Sequence, residues 1–448
     1  MSLPMPLLEP LSRPPAVAPA ARPWTPWRWW QALFFFLIFW RLAPYDLAES
    51  TKMHRPAMEQ LNEATASSEQ GNPARRATLL TLGGFSLLCL MQGGGRRLRV
   101  RSALAWVVLL FSVWCVLSPL WADDPLLSAR KTLVFGCMCL GALAVATQFD
   151  PREHVLFALL ALLPFVLTGL GAELTLGTFR PSDPDYRFGG LAHPNAMGTA
   201  CALLVIAAVA YSRMRGRGRW LGWGAAGLGL ILLFLTKSRT AALAGMVSAA
   251  ILLIASLQKR TRFVLAGAAI VLAAALVIAD VDVDTLAQHS VVLGRTDTDA
   301  AEALTLTGRL QIWEQLDEYV RQRPLLGYGY DGFWSANRLL EVALRQKFAV
   351  TATHSGYFEI ALNLGLVGLA LYVLMCWLAV RKAWSQRHRN DWPTTLFLVG
   401  ALLCLYVNSL TENIMLRASV APFLCMTIFA RLAFVEPDDG EPVRGPGR

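Results

Sequence analysis

The chain alternates between long apolar runs and short polar loops, a pattern typical of a helical protein that crosses a membrane repeatedly. A membrane-spanning helix needs about 20 mostly apolar residues. Twelve apolar runs meet or approach this length, near 29–44, 77–92, 102–121, 131–148, 154–172, 190–212, 219–235, 238–257, 262–279, 355–380, 393–410 and 416–434. The pattern therefore predicts an all-α integral membrane protein with about twelve transmembrane helices.

A long segment before the tenth predicted span, residues 280–353, interrupts this pattern. Its first half is polar and typical of a loop. Its second half predicts a helix that begins near Thr307 as N-cap and ends before Pro324, with apolar residues at helical spacing: Leu310, Trp313, Leu316 and Val320. Such an amphipathic helix either lies in the membrane interface or covers a cavity.

Composition supports the membrane assignment. The 448 residues are 55% hydrophobic and 16% charged, with a mean hydropathy of +0.44, whereas a soluble chain carries about 25% charged residues. The net charge of +10 does not indicate a nucleic-acid partner, because much of it lies in short loops where the positive-inside rule places it. The densest basic loops all fall on the cytoplasmic face when both termini are inside: 93–101, 212–219, 258–262 and 381–389.

This topology divides the chain into five parts. We expect a disordered cytoplasmic tail, nine transmembrane helices, an outer loop with an amphipathic helix, three further transmembrane helices and a second disordered tail, over residues 1–28, 29–279, 280–353, 354–434 and 435–448. The eight cysteines all lie in apolar runs, which favours packing over disulfide formation. No metal-binding motif and no phosphate-binding Gly-Lys loop is present, so we expect neither a metal nor a cofactor.

The predicted outer face collects cationic and titratable residues at the starts of helices. They are Arg180 and Arg187 before the run at 190–212 with His193 at its start, Lys237 and Arg239 at the start of 238–257, Arg309 in the long loop, and His354 with Glu359 at the tenth span. Helix N-termini carry partial positive charge and free N–H groups, and guanidinium groups match phosphate geometry. This arrangement predicts a phosphorylated ligand.

Each of these residues also has a structural interpretation. Lys237 is placed where a lysine reaches toward lipid headgroups, whereas Arg239, between two apolar runs, favours a functional role. Arg180 and Arg187 are close enough in sequence to pair with the aspartates between them. His193 precedes a proline, as an ordinary helix-start residue does.

His354 is the strongest candidate for proton transfer. A nearby helix N-terminus favours a neutral imidazole, which accepts a proton. Glu359 does not share a helix face with His354, but it shares one with Asn363, so both should face the bundle interior. Glu359 is equally well explained as a buried structural carboxylate. We expect Gly365 and Gly368 to allow close approach of helices.

The stretch GYGYDGFW (327–334) places Tyr328 and Tyr330 among glycines. Two interpretations stay open for these rings. They either stack against sugar faces or belong to an aromatic belt at the membrane interface.

Several of these stretches together resemble one known family. LTGR with RPLLGYGYDGFW, then THSGYFEIALNLGLVGLALY, GGLAHPNAMG and LTKSRTA, are similar to the O-antigen ligase and Wzy polymerase superfamily, with exopolysaccharide polymerases the nearest in pattern. The resemblance covers roughly residues 100–430 and is most specific over 305–368. The first hundred residues match no pattern of this kind.

The resemblance implies a metal-independent, inverting glycosyltransferase of the bacterial inner membrane with a GT-C-like fold. The donor would be a glycan on undecaprenyl diphosphate, and the reaction would occur on the periplasmic side. By motif, His354 would be the base for the acceptor hydroxyl, and Arg239 and Arg309 would hold the diphosphate. The same role is assigned to Arg187 and Arg180 with less support, because the sequence around them matches the family's motif less closely.

Two alternative activities, polymerase and ligase, differ in the acceptor of the glycan. A polymerase adds the glycan to another lipid-linked unit, whereas a ligase adds it to the lipid A core, and the pattern of the long loop favours the polymerase. A lipid-linked sugar transporter would place polar residues along the bilayer midplane, and here they gather on one side. A non-catalytic partner of other polysaccharide assembly proteins would leave the outer arginines and His354 unexplained.

Overall fold

The computed structural model describes residues 26–42, 73–92, 96–184, 186–214, 218–256, 306–346, 352–388, 390–413 and 419–435, with 62, 65–66 and 416. These residues form α-helices joined by short connections. An isolated antiparallel bridge pairs Leu98 with Val435.

The helices follow the apolar runs closely. In chain order they are α1 (Pro26–Leu42), α2 (Pro73–Met91), α3 (Ala103–Leu117), α4 (Pro125–Gln148), α5 (Pro151–Leu176), α6 (Pro194–Arg213), α7 (Arg219–Leu235), α8 (Arg239–Ser256), α9 (Leu306–Gln322), α10 (Ala336–Gln346), α11 (Gly356–Ser385), α12 (Trp392–Asn408) and α13 (Val420–Phe434). A 3₁₀ turn, Ser118–Trp121, extends α3.

Six helices of the described part are long and apolar enough to cross a membrane: α2, α3 with its 3₁₀ extension, α4, α5, α6 and α11. Shorter apolar helices, α7, α8, α12 and α13, complete the bundle. The protein is therefore an all-helical, multi-pass membrane protein. A helix overlaps each predicted apolar run within the described residues, and the predicted ninth span, 262–279, lies outside them.

Helix α6 lies at the centre of the bundle, where it packs against α5, α7, α8 and α12. The α6–α7 contact is close because a glycine faces it: a Cβ on Gly222 would lie 2.8 Å from the carbonyl oxygen of Ala208. Small residues allow membrane helices to approach in this way. The seven buried cysteines, with half-buried Cys139, are free thiols inside the helices.

Buried and partly buried charges join the helices at one end of the bundle. The Arg28 guanidinium lies 2.7 Å from the Glu153 carboxylate, and Arg96 lies 2.6 Å from Asp150. Arg431 donates to the carbonyl of Ala146 at 3.1 Å. These contacts connect α1 and the segment before α3 to the start of α5, and α13 to the end of α4.

Helix α11 is broken at Gly365, whose φ of 70° and ψ of −177° lie outside the helical region. The connection between α9 and α10 fills the break, because the Leu366 N–H donates to the Pro324 carbonyl at 2.7 Å. A Cβ on Gly365 would lie 2.1 Å from the Leu325 carbonyl oxygen. The expectation that Gly365 serves helix–helix approach is wrong, since this glycine admits a loop instead.

Candidate functional site

The candidate site lies at the end of the bundle opposite the buried charges. Glu153 and Glu173 mark the two ends of α5, twenty residues or about 30 Å apart along a helix. At the Glu173 end, the loop before α6 donates from the Phe188 N–H to the Leu235 carbonyl at 2.8 Å, and the Gly356 N–H donates to the Ser409 carbonyl at 2.7 Å. The starts of α6, α8 and α11 therefore meet the end of α12 at one surface.

A path of hydrogen bonds connects these elements. The Arg187 guanidinium donates to the Thr236 carbonyl at 3.2 Å and to the Asn195 side-chain oxygen at 2.8 Å. The Asn195 amide donates in turn to the Glu412 carboxylate at 2.7 Å. The Glu412 backbone carbonyl accepts from the Gly356 N–H at 3.1 Å. The path thus runs from the turn before α8 to the first residue of α11.

Glu173 holds the loop that carries Arg187. Its side chain is 1% exposed and accepts from the backbone N–H groups of Gly189 at 3.0 Å and Gly190 at 2.6 Å. The Tyr186 hydroxyl donates to its other oxygen. Burial and this hydrogen bond raise the pKa of Tyr186, so its hydroxyl stays protonated as a donor. The loop is therefore held rigidly beside the start of α6.

The turn before α8 has an unusual backbone. Lys237 adopts a left-handed conformation with φ of 49°, and its ammonium group donates to the Pro184 carbonyl. Arg239 begins α8 and is half-buried. A non-glycine residue with positive φ costs roughly 1–3 kcal/mol and is often found at a functional site. The turn holds Arg239 at the helix start, next to the Arg187 anchor on Thr236.

His354 occupies a second turn of this kind. Its φ is 53°, its side chain is exposed, and it directly precedes Ser355, the N-cap of α11. Thr353, on its other side, is completely buried and donates from its hydroxyl to the Ser355 carbonyl at 2.8 Å. The Trp313 indole N–H donates to the Thr353 carbonyl at 2.7 Å. Both neighbours of His354 are thus fixed, while its imidazole faces outward.

Glu359 is buried one turn into α11. Its carboxylate accepts from the Trp334 indole at 2.6 Å, the Asn363 amide at 3.1 Å and the Thr353 backbone N–H at 3.1 Å. The Asn363 side-chain oxygen accepts from the Phe333 N–H at 3.1 Å. The prediction that Glu359 and Asn363 both face the interior is confirmed. The contacts make Glu359 a structural carboxylate that supports the His354 turn, so direct contact with a glycan does not fit this burial.

The two tyrosines of GYGYDGFW are also buried. Tyr328 and Tyr330 are 2% and 4% exposed. The Tyr328 hydroxyl donates to the Tyr319 carbonyl at 3.1 Å, and the Tyr330 N–H donates to the Ser118 hydroxyl at 2.8 Å. Burial raises the pKa of Tyr328, while neighbouring arginines oppose the shift. Neither sugar stacking nor an interfacial belt describes these rings, which pack the loop onto the bundle.

The remaining predicted site residues are Arg180, His193 and Arg309. Arg180 is exposed, and its guanidinium donates to the Gly177 carbonyl at 3.4 Å. His193 is the N-cap of α6 and accepts from the Asn195 N–H at 3.3 Å, which is the helix-start role. Arg309 lies in α9, one helical turn before Trp313, and its side chain lies outside the described residues. That helix begins at Leu306, so Thr307 is inside it and is not the N-cap.

Three residues of the site were missed from the sequence: Glu173, Asn195 and Glu412. Glu173 had a usable signal, since a carboxylate near the end of an apolar helix must find partners. Asn195 and Glu412 are 217 residues apart, and no local pattern connects them. Over the described ranges, no group of three or more His, Cys, Asp or Glu residues is arranged to hold a metal ion.

Comparison with known proteins indicates the family that the chain resembles. The fold defines a multi-pass membrane protein in which the turn of His354 and the turn before Arg239 lie at the same end of the bundle. Residues 224–373 match the model of the family described as O-antigen ligase. This segment runs from α7 to the middle of α11 and contains Arg239, Arg309 and His354.

A curated protein is similar to the chain over a longer stretch. The exopolysaccharide production protein ExoQ of Rhizobium meliloti (strain 1021) is 27% identical over 333 residues, which cover 70% of this chain and 74% of the relative. The chain is thus a distant homologue of a protein named for exopolysaccharide production. Both comparisons agree with the resemblance inferred from sequence.

Proposed function

We propose that the protein is an inner-membrane glycosyltransferase that joins undecaprenyl-diphosphate-linked glycan units on the periplasmic side, as a polymerase in exopolysaccharide or O-antigen biosynthesis. The observation that carries this proposal is the hydrogen-bonded path from Thr236 through Arg187, Asn195 and Glu412 to Gly356. It brings the turn of Arg239 and the turn of His354 to one surface. The family match covers both turns.

The proposed chemistry divides between these two turns. Arg239 and Arg309, with smaller contributions from Arg187, Arg180 and Lys237, stabilise negative charge on the diphosphate as it leaves, which is the electrostatic contribution that needs no metal. The acceptor hydroxyl attacks the anomeric carbon from the opposite face, and the carbon–oxygen bond to the diphosphate breaks. The hydroxyl proton passes to His354, a role worth typically 10²–10⁴ in rate. The product has the inverted anomeric configuration.

The placement of His354 supports its role as the base. It is exposed, whereas Thr353 and Ser355 on either side are buried. A base for an incoming hydroxyl must be reachable from outside, and a rigid turn positions it more precisely than a mobile one does. Its backbone strain agrees with this role, because strained residues concentrate where geometry is functional.

Polymerase is favoured over ligase because ExoQ, the relative matched over 70% of the chain, is named for exopolysaccharide production. The ligase alternative keeps the same donor and transfers the glycan to the lipid A core. It follows from the description of the family match as O-antigen ligase.

Transfer by purified protein in detergent tests the proposal. The protein receives lipid-diphosphate-linked repeat units from its own organism, in EDTA and without nucleotide, and the products are sized on a gel. We expect a ladder of longer lipid-linked glycans. Transfer that occurs only when lipid A core is added would establish the ligase instead. Absence of transfer to both acceptors, from a preparation with a cooperative thermal transition, would reject the glycosyltransferase and favour a transporter.

A further inference from the structure

A basic pocket lies at the end of the bundle opposite the candidate site. It has a volume of about 160 Å³ and is lined by Arg99, Arg101, Ser102, Lys382, Ala433 and Val435. The described lining holds three cations, Arg99, Arg101 and Lys382. Its volume is several times the roughly 30 Å³ that one water occupies, so a phosphate group fits. The pocket joins two predicted cytoplasmic loops, 93–101 and 381–389, on the same side of the bundle.

The segment that carries the arginines is fixed to the bundle. The Arg99 N–H donates to the Phe434 carbonyl at 2.8 Å, beside the bridge between Leu98 and Val435. In an extended segment successive side chains point to opposite sides. Arg99 and Arg101 therefore share one side, at the pocket, while Leu98 and Val100 are 45% and 41% exposed on the other. The segment presents cations to the pocket and apolar groups to its surroundings.

Two tryptophans indicate the depth of the pocket relative to the membrane. Trp106 and Trp377 are 58% and 56% exposed. Trp377 precedes Lys382 by five residues in α11, about 7.5 Å along the helix, and Trp106 lies in the first turn of α3, which begins just after Arg101. Exposed tryptophans concentrate at the membrane–water interface. The pocket is thus at the depth of lipid headgroups.

We propose that this pocket binds the phosphate of an anionic phospholipid, in the leaflet opposite the candidate site. Arginine forks match phosphate oxygens in pairs, and a nearby lysine adds a third charge. Basic pockets between transmembrane helices at the cytoplasmic surface bind such headgroups. The bound phosphate connects the start of α3, the end of α11 and the end of α13. This site is separate from the proposed glycosyl transfer and does not depend on it.

Native mass spectrometry of the full chain in neutral detergent tests the site, with phosphatidylglycerol titrated against phosphatidylcholine. We expect saturable binding of phosphatidylglycerol and none of phosphatidylcholine. Arg101→Gln and Lys382→Gln should each weaken the affinity about fivefold, the effect of one cation near a lipid surface. Arg219→Gln is the matched control, because Arg219 is an exposed arginine at the start of α7 outside the pocket. The Arg219→Gln protein should bind phosphatidylglycerol with the affinity of the wild type.

Further controls distinguish a lipid phosphate from free phosphate and distinguish loss of binding from loss of folding. Arg101→Lys retains the charge and should keep most of the affinity, so a loss in Arg101→Gln alone does not reflect an unfolded protein. An unchanged affinity in the Arg101→Gln and Lys382→Gln proteins would overturn the proposal. Equal binding of phosphatidylcholine would do the same, as would a site that inorganic phosphate saturates while phosphatidylglycerol does not.

Discussion

At the scale of single residues, the turn around His354 is held by groups that do not face outward. The Thr353 N–H donates to the Glu359 carboxylate and the Thr353 carbonyl accepts from Trp313. These bonds offset the roughly 1–3 kcal/mol that a left-handed non-glycine residue costs. Because all three donors to Glu359 are N–H groups, its carboxylate acts only as an acceptor. The position of His354 therefore depends on a residue that need not contact substrate.

Glu359→Gln tests this dependence. A glutamine keeps one carbonyl for Trp334 and Asn363, and its amide then faces the Thr353 N–H, which loses its acceptor. An unsatisfied buried group costs about 1–3 kcal/mol, so we expect a lower melting temperature and a transfer rate reduced roughly tenfold or more. Glu314→Gln, at an exposed position on α9, is the control and should change neither. Wild-type transfer by Glu359→Gln would show that the carboxylate does not position the turn.

At the scale of elements, the connection between α9 and α10 is the feature that organises this side of the bundle. It enters the break in α11 at Gly365, and the Trp121 indole donates to the Leu326 carbonyl at 2.9 Å. Asp123 adds two ion pairs, to Arg323 at 2.5 Å and to Arg338 at 2.8 Å. The connection is thus held both by backbone fit and by charge.

Gly365→Ala should disrupt the backbone fit. The new Cβ would collide with the Leu325 carbonyl oxygen, and the alanine would have to adopt a positive φ. The connection must therefore move out of the break. We expect a clear loss of thermal stability and of transfer. Gly136→Ala in α4 is the matched control, because a Cβ there meets nothing within 4 Å. It should be neutral or stabilise by up to about 1 kcal/mol. Equal stability of the two variants would contradict the fit described for Gly365.

Asp123→Asn should loosen the charged attachment. Loss of one carboxylate that serves two arginines leaves both without this partner, so we expect faster hydrogen exchange over residues 323–346. Exposed ion pairs contribute only about 0–1 kcal/mol each, so the melting temperature should fall only slightly. Asp317→Asn removes an exposed pair with Arg321 within α9 and is the control. If both variants exchange at the same rate as the wild type, Asp123 does not hold the connection.

At the scale of the whole molecule, the apolar runs predicted the helices because each must be long and apolar to cross a bilayer. Local patterns also singled out Arg239, Arg187 and His354 as candidates, since polar residues before apolar runs are easy to recognise. They did not locate Glu412 or the insertion of Pro324 at Leu366, because those contacts join distant segments. The burial of Tyr328 and Tyr330 was missed for the same reason: composition shows an aromatic stretch, but only packing shows what covers it.

The chain also has two polar surfaces at opposite ends. One contains the strained turns of Lys237 and His354, and the other contains the partly buried ion pairs Arg28–Glu153 and Arg96–Asp150. Described helices connect them through an apolar core. This division agrees with the proposed reaction at one surface.

The central claim is that His354 accepts the acceptor proton, and the transfer rate of His354→Asn tests it most directly. Asparagine tolerates a left-handed backbone, so this variant keeps the turn and removes the base, whereas His354→Ala alters both. Both proteins are compared with the wild type for melting temperature and for initial rate on lipid-diphosphate-linked glycan. We predict a wild-type melting temperature for His354→Asn with a rate lower by roughly 10²–10⁴. A folded His354→Asn protein that transfers glycan at the wild-type rate would contradict the account.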